Sequence, residues 1–433
     1  MTLFLINIIN FFSVLILFDL FENLSYKILI ILFVYRIMVD IDKLKTFSII
    51  GAGHMGHEIA EVFLMAGFEK VILHDLKMEL IETAITKIKN GLKKIEAKGK
   101  LNQHTTAEQL MPRLIKELDL KKAVKTADFV VEAIPEKMDL KQNLFKKLGE
   151  YAPKHAVLAT NTSTMSITKI AESCERPDKV VGMHFFTPIP ILRLIEVIKG
   201  EKTSEETMKT TIAVGTMLPA LKGKKYIARI EKESPGFIVN RLTIAGSAYL
   251  NWLLDQAMEN GVPFEEVDAD IGTLQELGPC SKWDYLGLDT VYNTLKYFEK
   301  VLSSDFAPGK ALTKFVKEGN LGRKTGKGFC EWTEDGKLKI HKNKKAGLFN
   351  TELFMALQLN EGCRLLEEGI VNSYKTIDDT MLAGMDMPGP FGAGKRNYLK
   401  WCELLEDFVQ KSGKMYFRPC NLMKSGGFLK MRK

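Results

Sequence analysis

The sequence predicts an α/β protein: a Rossmann-like, doubly wound and mostly parallel sheet, followed by an all-α domain in two repeated copies. Three observations predict it. Short apolar runs alternate with amphipathic stretches from residue 45 to about 231. A glycine-rich turn carrying Gly51, Gly53 and Gly56 lies between the first apolar run and the first helical stretch. After SPGFIVNR (234–241) helical periodicity takes over, and its features recur about 110 residues further on.

The apolar runs are TFSII (46–50), VILHD (71–75), DFVVEAI (128–134), AVLATN (156–161), VVGMHFF (180–186) and LRLIEVI (192–198). Their continuous apolar character, without alternation, is that of strands covered on both faces. Over 54–66, Ile59, Val62, Phe63 and Ala66 share one helical face. A lysine-rich helix is expected near 77–100, a further helical stretch near 106–118 and another over 140–152. Strand and helix in strict alternation make βαβ units and a parallel sheet. Beyond residue 241, Leu242, Ala245, Tyr249, Leu250, Leu253, Ala257 and Met258 form one apolar stripe that Gly261 ends.

The helical part reads as a duplication. LLDQAMENGV (253–262), PFEEVD (263–268) and LGP (277–279) are answered in the same order by LLEEGI (365–370), KTIDDTM (375–381) and PGPF (388–391). The expected organisation is a hydrophobic extension at 1–42, a dinucleotide-binding domain at 43–231, and helical copies at 232–335 and 336–433. Residues 1–18 carry no charge and are long enough to raise a membrane span. They lack both the basic n-region and the cleavage site of a signal peptide. Residues 1–37 read as upstream sequence translated from a start set too early, with Met38 opening MVDIDKLKTFSIIGAG. A membrane contact is expected only if that segment belongs to the native protein.

A chain of 433 residues with 46% hydrophobic and 26% charged residues has the composition of a globular protein. Its net charge of +8 suits an anionic small ligand. No nucleic-acid partner is expected, because neither RNA-module nor zinc-finger spacing is present. The six cysteines, Cys174, Cys280, Cys330, Cys363, Cys402 and Cys420, include no CxxC pair. They fit a reduced, cytoplasmic protein without a metal site.

In IIGAGHMGHEIA the glycines have GxGxxG spacing, follow an expected strand and open an expected helix. The first glycine makes the tight turn, the second admits the pyrophosphate and the third packs helix on strand. The helix N-terminus presents free N–H groups to the anion. Asp75, nineteen residues after Gly56, ends the next strand, where it can bind ribose hydroxyls and repel a 2′-phosphate. NAD is therefore the expected cofactor, with Lys77 keeping NADP open.

Hydride chemistry needs a group that takes or gives a proton. His184 ends a strand on the ligand edge of the expected sheet, and Glu196 sits between Ile195 and Val197 in the next apolar run. A lone histidine is more often a satisfied core residue, but two buried ionisable groups relieve each other by pairing. Ser163, with Asn161 and Thr162, follows another strand, and Asn240 opens the helical part. Taken singly, Ser163 and Asn240 each read better as helix caps.

Together IGAGHMG, VVEAIPE, NTS, HFFTP, LIEVI, PGFIVNR and GRKTGKGF resemble the L-3-hydroxyacyl-CoA dehydrogenases of fatty-acid β-oxidation, over about residues 43–332. The duplicated helical part is similar to the longer bacterial and archaeal relatives. The resemblance implies that His184 is the general base, Glu196 the acid paired with it, Ser163 a substrate contact and Asn240 part of the catalytic centre. It places Glu136, Lys141, Thr187 and Lys324 near the cofactor and Lys98 on coenzyme A. Two departures stand out: Thr187 where the family often has asparagine, and Gly91 where a CoA-contacting serine is usual. The implied function is NAD-dependent oxidation of (S)-3-hydroxyacyl-CoA to 3-ketoacyl-CoA. The alternative is a weakly active or inactive NAD/CoA-binding protein of the same fold. A fused hydratase is not expected, since no second α/β segment follows residue 333. The chain is expected to be a homodimer or a pseudo-dimeric monomer built on the repeat.

Overall fold

The computed structural model describes residues 43–102, 105–271, 277–339 and 344–432. The expectations for 1–37 and for the extension to residue 42 lie outside the described residues. Thr46–Lys433 form one unit. No helix among the described residues is long and apolar enough to cross a membrane.

The first half alternates as its pattern predicts. Strands β1 (Thr46–Ile50), β2 (Lys70–His74), β3 (Leu114–Glu117), β4 (Phe129–Glu132), β5 (Val157–Thr160) and β6 (Val180–Phe185) are separated by helices. These are α1 (His54–Met65), α2 (Met78–Ala97), α3 (Ala107–Leu110), α4 (Leu120–Val124), α5 (Met138–Tyr151) and α6 (Ile167–Ala171). Then follow β7 (Leu194–Ile198), α7 (Glu205–Met217), the two-residue strands β8 (Pro219–Ala220) and β9 (Gly223–Lys224), and β10 (Tyr226–Ile230). The eight-stranded sheet has the order β10-β7-β6-β5-β4-β1-β2-β3. Chain order reverses between β1 and β4, and the crevice outside their C-terminal ends is where open α/β sheets bind ligands.

Strands β4, β5, β6 and β7 are buried along their whole length, which is why their sequences do not alternate. The lysine-rich α2 does the opposite. Ile81, Ala84, Ile88, Leu92 and Ile95 form one buried stripe, and its lysines stay in water.

One expectation needs correction. The helical stretch near 106–118 is a short α3, a 3-10 turn at Met111–Arg113 and the edge strand β3. Pro112 has no N–H to continue a helix. Strand β7 pairs with β6 antiparallel, while β7 and β10 run parallel to each other. The link 186–193 is too short for the crossover that a parallel pair requires. The antiparallel turn sets His184 directly opposite Glu196.

The helical part comprises α8 (Val239–Glu259), α9 (Phe264–Ala269), α10 (Pro279–Leu286), α11 (Leu288–Val301), α12 (Lys310–Lys317), α13 (Thr351–Glu367), α14 (Tyr374–Met385), α15 (Phe391–Ser412) and α16 (Asn421–Ser425). Asp268 of α9 accepts from the N–H groups of Cys280 and Ser281, which open α10 after Gly278-Pro279. Asp378 of α14 accepts from the N–H of Phe391, which opens α15 after Gly389-Pro390. Helices α8 and α13 pack closely: a side chain at Gly246 would overlap the Phe354 ring, and the Asn350 N–H donates to the Tyr249 hydroxyl at 2.9 Å. The buried Arg241 of α8 binds Glu361 at 2.6 Å and Glu368 at 2.7 Å. Residues around α14 reach back to the sheet, with the Arg193 N–H donating to Ala383 O and the Glu231 N–H to Ile370 O.

Candidate active site

The glycine turn joins β1 to α1 at the point of reversal. Gly51 has φ +107°, and a Cβ there would lie 2.5 Å from the Ala133 carbonyl oxygen. A Cβ at Gly56 would overlap the Gly51 carbonyl. Both positions therefore demand glycine from within the protein. Gly53 does not: a Cβ there meets nothing within 4 Å. It borders open space at the N-terminus of α1, which has no side-chain cap, so its first N–H groups are free for an anion. Asp75 lies beside the turn, its two oxygens taking the N–H groups of Ala52 and Leu76, each at 2.7 Å. Each oxygen keeps a lone pair for a hydroxyl. The cradle and the acidic partner fit NAD.

At the end of β4 a compact charge network forms. The Lys141 ammonium, buried on α5, sits 2.6 Å from Glu132 and 3.2 Å from Glu136. Glu132 also accepts from Thr160 at 2.6 Å and from the Ile134 N–H at 2.7 Å. Glu136 is the exposed end of the chain of contacts and takes the Thr162 hydroxyl at 2.5 Å and the Ser163 N–H at 3.0 Å. Lys141 is thus buried behind the exposed Glu136. Asn161 accepts from the Phe185 N–H at 2.9 Å, tying the ends of β5 and β6.

His184 and Glu196 meet. The Nδ1–H donates to Glu196 Oε2 at 2.8 Å, since a carboxylate can only accept. Glu196 is fully buried. Its other oxygen takes the N–H groups of Ile238 and Val239, both at 3.1 Å. Helix α8 has no side-chain cap of its own, so a carboxylate from the sheet caps it and complements its dipole. Phe237, with φ +54°, turns the chain so that these N–H groups reach the carboxylate, at a backbone cost of about 1 kcal/mol. The rings of Phe186 and Phe237 lie 4.4 and 5.7 Å from the imidazole. At the second residue of the same helix, Asn240 donates to the Ser163 carbonyl at 3.4 Å. His184, Glu196, Ser163 and Asn240 therefore gather where the sheet meets the helical part.

The remaining candidates are more dispersed. Thr187 is exposed at the lip, between His54 and Glu58, 3.1 Å from each. Lys98 is exposed at the end of α2, and Lys324 pairs with Asp289 near the start of α11; neither has a hydrogen bond to the glycine turn. A Cβ at Gly91 would overlap the Glu61 carboxylate, so Glu61 fills the space of a side chain there. Burial pushes the Glu61 carboxyl up to about 8, with Glu58 adding to the shift. Sequence reasoning missed Glu61, Glu132, Phe237, Tyr297 and Lys225. Tyr297 of α11 donates to the Thr164 carbonyl, a second grip on the Ser163 loop. Lys225 donates to Ile189 O and Leu192 O at 2.6 and 2.7 Å, pinning the loop after β6, and burial lowers its ammonium to about 7. Lys225 ends the basic run KGKK, so its local sequence gives no signal that it is buried.

Comparison with known proteins agrees with this geometry. Residues 46–227 match the family model of the 3-hydroxyacyl-CoA dehydrogenase NAD-binding domain, and residues 236–332 match the C-terminal domain of the same family. The chain is 34% identical over 294 residues to 3-hydroxybutyryl-CoA dehydrogenase of Clostridioides difficile, covering 66% of this chain and 99% of the relative. It is 33% identical over 297 residues to the mitochondrial hydroxyacyl-coenzyme A dehydrogenase of Sus scrofa, covering 66% and 91%. The crystal structure of 3-hydroxybutyryl-CoA dehydrogenase from Escherichia coli K12 superposes with a TM-score of 0.76 at 26% identity, over 90% of this chain and 99% of that one. From the glycine turn to the end of the first helical segment, this chain belongs to the NAD-binding 3-hydroxyacyl-CoA dehydrogenase family.

Proposed function

We propose that the protein oxidises (S)-3-hydroxyacyl-CoA to 3-ketoacyl-CoA, with His184 as general base and Glu196 as its partner. The observation that carries this reading is the 2.8 Å bond from His184 Nδ1 to a fully buried Glu196. That bond leaves Nε2 as the ring nitrogen able to accept the hydroxyl proton. Glu196 stabilises the imidazolium that results. Ser163 and Asn240 hold the substrate oxygens in place, preorganising them for the reaction. NAD, when bound, supplies the hydride acceptor. Gly51, Gly53, Gly56 and Asp75 would hold its adenosine half, and the family resemblance assigns Glu136, Lys141, Thr187 and Lys324 to the cofactor as well. The lysine face of α2, Lys98 included, offers positive charge to coenzyme A phosphates.

We also read residues 232–335 and 336–433 as two copies of one helical unit, because Asp268 and Asp378 cap equivalent Gly-Pro helix starts. Six free cysteines are consistent with a reducing, cytoplasmic setting.

The test is reduction of acetoacetyl-CoA with NADH, followed by loss of the NADH absorbance. H184A should lower turnover by roughly a hundredfold or more while leaving NADH affinity near normal. Binding of both ligands without turnover in the native chain would favour the binding-protein alternative.

A further inference from the structure

The first turn of α1 carries a cluster that the reaction above does not use. His54, His57 and Glu58 each offer one ligand atom, and these three atoms lie within 4.8 Å of one another. Their spacing, i, i+3 and i+4, puts them on one helical face. Their hydrogen bonds fix which atoms remain available. The Gly53 carbonyl can only accept, so His57 Nδ1 carries the proton and Nε2 is bare. The Thr187 hydroxyl gives its proton to Glu58 Oε2, so His54 Nε2–H donates to Thr187 and Nδ1 is bare. The Ile189 N–H also goes to Glu58 Oε2, at 2.8 Å, which leaves Oε1. No described residue donates to His54 Nδ1, His57 Nε2 or Glu58 Oε1. A histidine locked by a backbone carbonyl and a carboxylate anchored by donors are what surrounds a protein metal site, where outer hydrogen bonds orient the ligands.

We propose that His54, His57 and Glu58 bind a divalent ion of the zinc class, and that this ion strengthens NAD binding. Two imidazoles and one carboxylate are a zinc donor set with a position left for a further ligand. Ligand atoms around tetrahedral zinc lie about 3.4 Å apart, so closing the site would require the exposed His54 side chain to move inward and give up its bond to Thr187. The site lies on the same helical turn that presents N–H groups to the pyrophosphate. Without metal, Glu58 places one negative charge beside that anion. With a divalent cation the local charge becomes +1, and repulsion turns to attraction.

The test is calorimetric titration of zinc chloride into the thiol-reduced full chain, alongside the H54A/H57A variant. The native chain should take up one more zinc than the variant, with at least tenfold tighter binding at that site. NADH titration followed by fluorescence should show about threefold or greater tightening with zinc in the native chain and none in the variant. Equal zinc binding by both proteins overturns the site, and unchanged or weaker NADH binding with zinc overturns the linkage. If the double variant does not fold, H54A alone serves, since that side chain is exposed. These readouts are binding measurements, so their failure is separate from any failure of the His184 mechanism.

Discussion

Glu196 is one carboxylate with three N–H groups to satisfy: one from His184 and two from the start of α8. A glutamine has a single oxygen and would turn its amide toward one of these donors. E196Q should therefore lower kcat by about a hundredfold, since the imidazole loses its orienting acceptor. NADH affinity, measured by fluorescence, should change little. Glu61 gives a pH prediction. Its folded value of about 8 lies above its ordinary value of 4.5, because burial disfavours the charged form. The folded state therefore holds a proton that the unfolded state has released between pH 4.5 and 8, and stability falls as pH rises through that window. E61Q removes the titration. It should leave the melting temperature nearly unchanged near pH 4.5 and raise it above that of the native chain at pH 8.5. A difference that does not depend on pH would count against this assignment.

At the scale of elements, the glycine turn separates folding from binding. Gly56 faces the Gly51 carbonyl and Gly53 faces open space. G56A should destabilise the fold by several kcal/mol, read as a lower urea midpoint, because helix α1 must move off β1. G53A should leave the melting temperature within about 1 °C and cost NADH affinity tenfold or more, since its methyl occupies the path of the pyrophosphate. Helices also differ in how their starts are encoded. Asp119, Ser166, Ser204, Asn350 and Ser373 cap α4, α6, α7, α13 and α14 from within their own segments and are visible in sequence. Helices α8, α10 and α15 are capped by Glu196, Asp268 and Asp378 from other elements. No local pattern announces those.

For the whole molecule, the second helical segment serves both sides of the site. It meets α8 through Arg241, next to Asn240, and meets the residue just ahead of β7, Arg193, through Ala383. Without Glu361 the buried guanidinium keeps Glu368 but loses its one fully buried carboxylate partner, and its Nε–H is left without an acceptor. E361A should therefore cost about 3 kcal/mol in urea unfolding and reduce kcat as α8 loosens. If the second copy takes the place of a partner subunit, the chain should run as a monomer of 48.9 kDa in light scattering at micromolar concentration. A stable dimer would show that the repeat does not replace a partner.

The sequence by itself determined the α/β class, the dinucleotide turn, the acidic residue after β2 and the residue types of the candidate site. Those features rest on local periodicity and on chemistry carried by short motifs. The tertiary structure decided that β7 returns antiparallel and so puts Glu196 opposite His184. It also decided that Lys141 is buried behind Glu136, and that Glu61 occupies the space facing Gly91. Strand direction, burial and the filling of space depend on contacts between residues far apart in the chain, and those are set only when the elements pack.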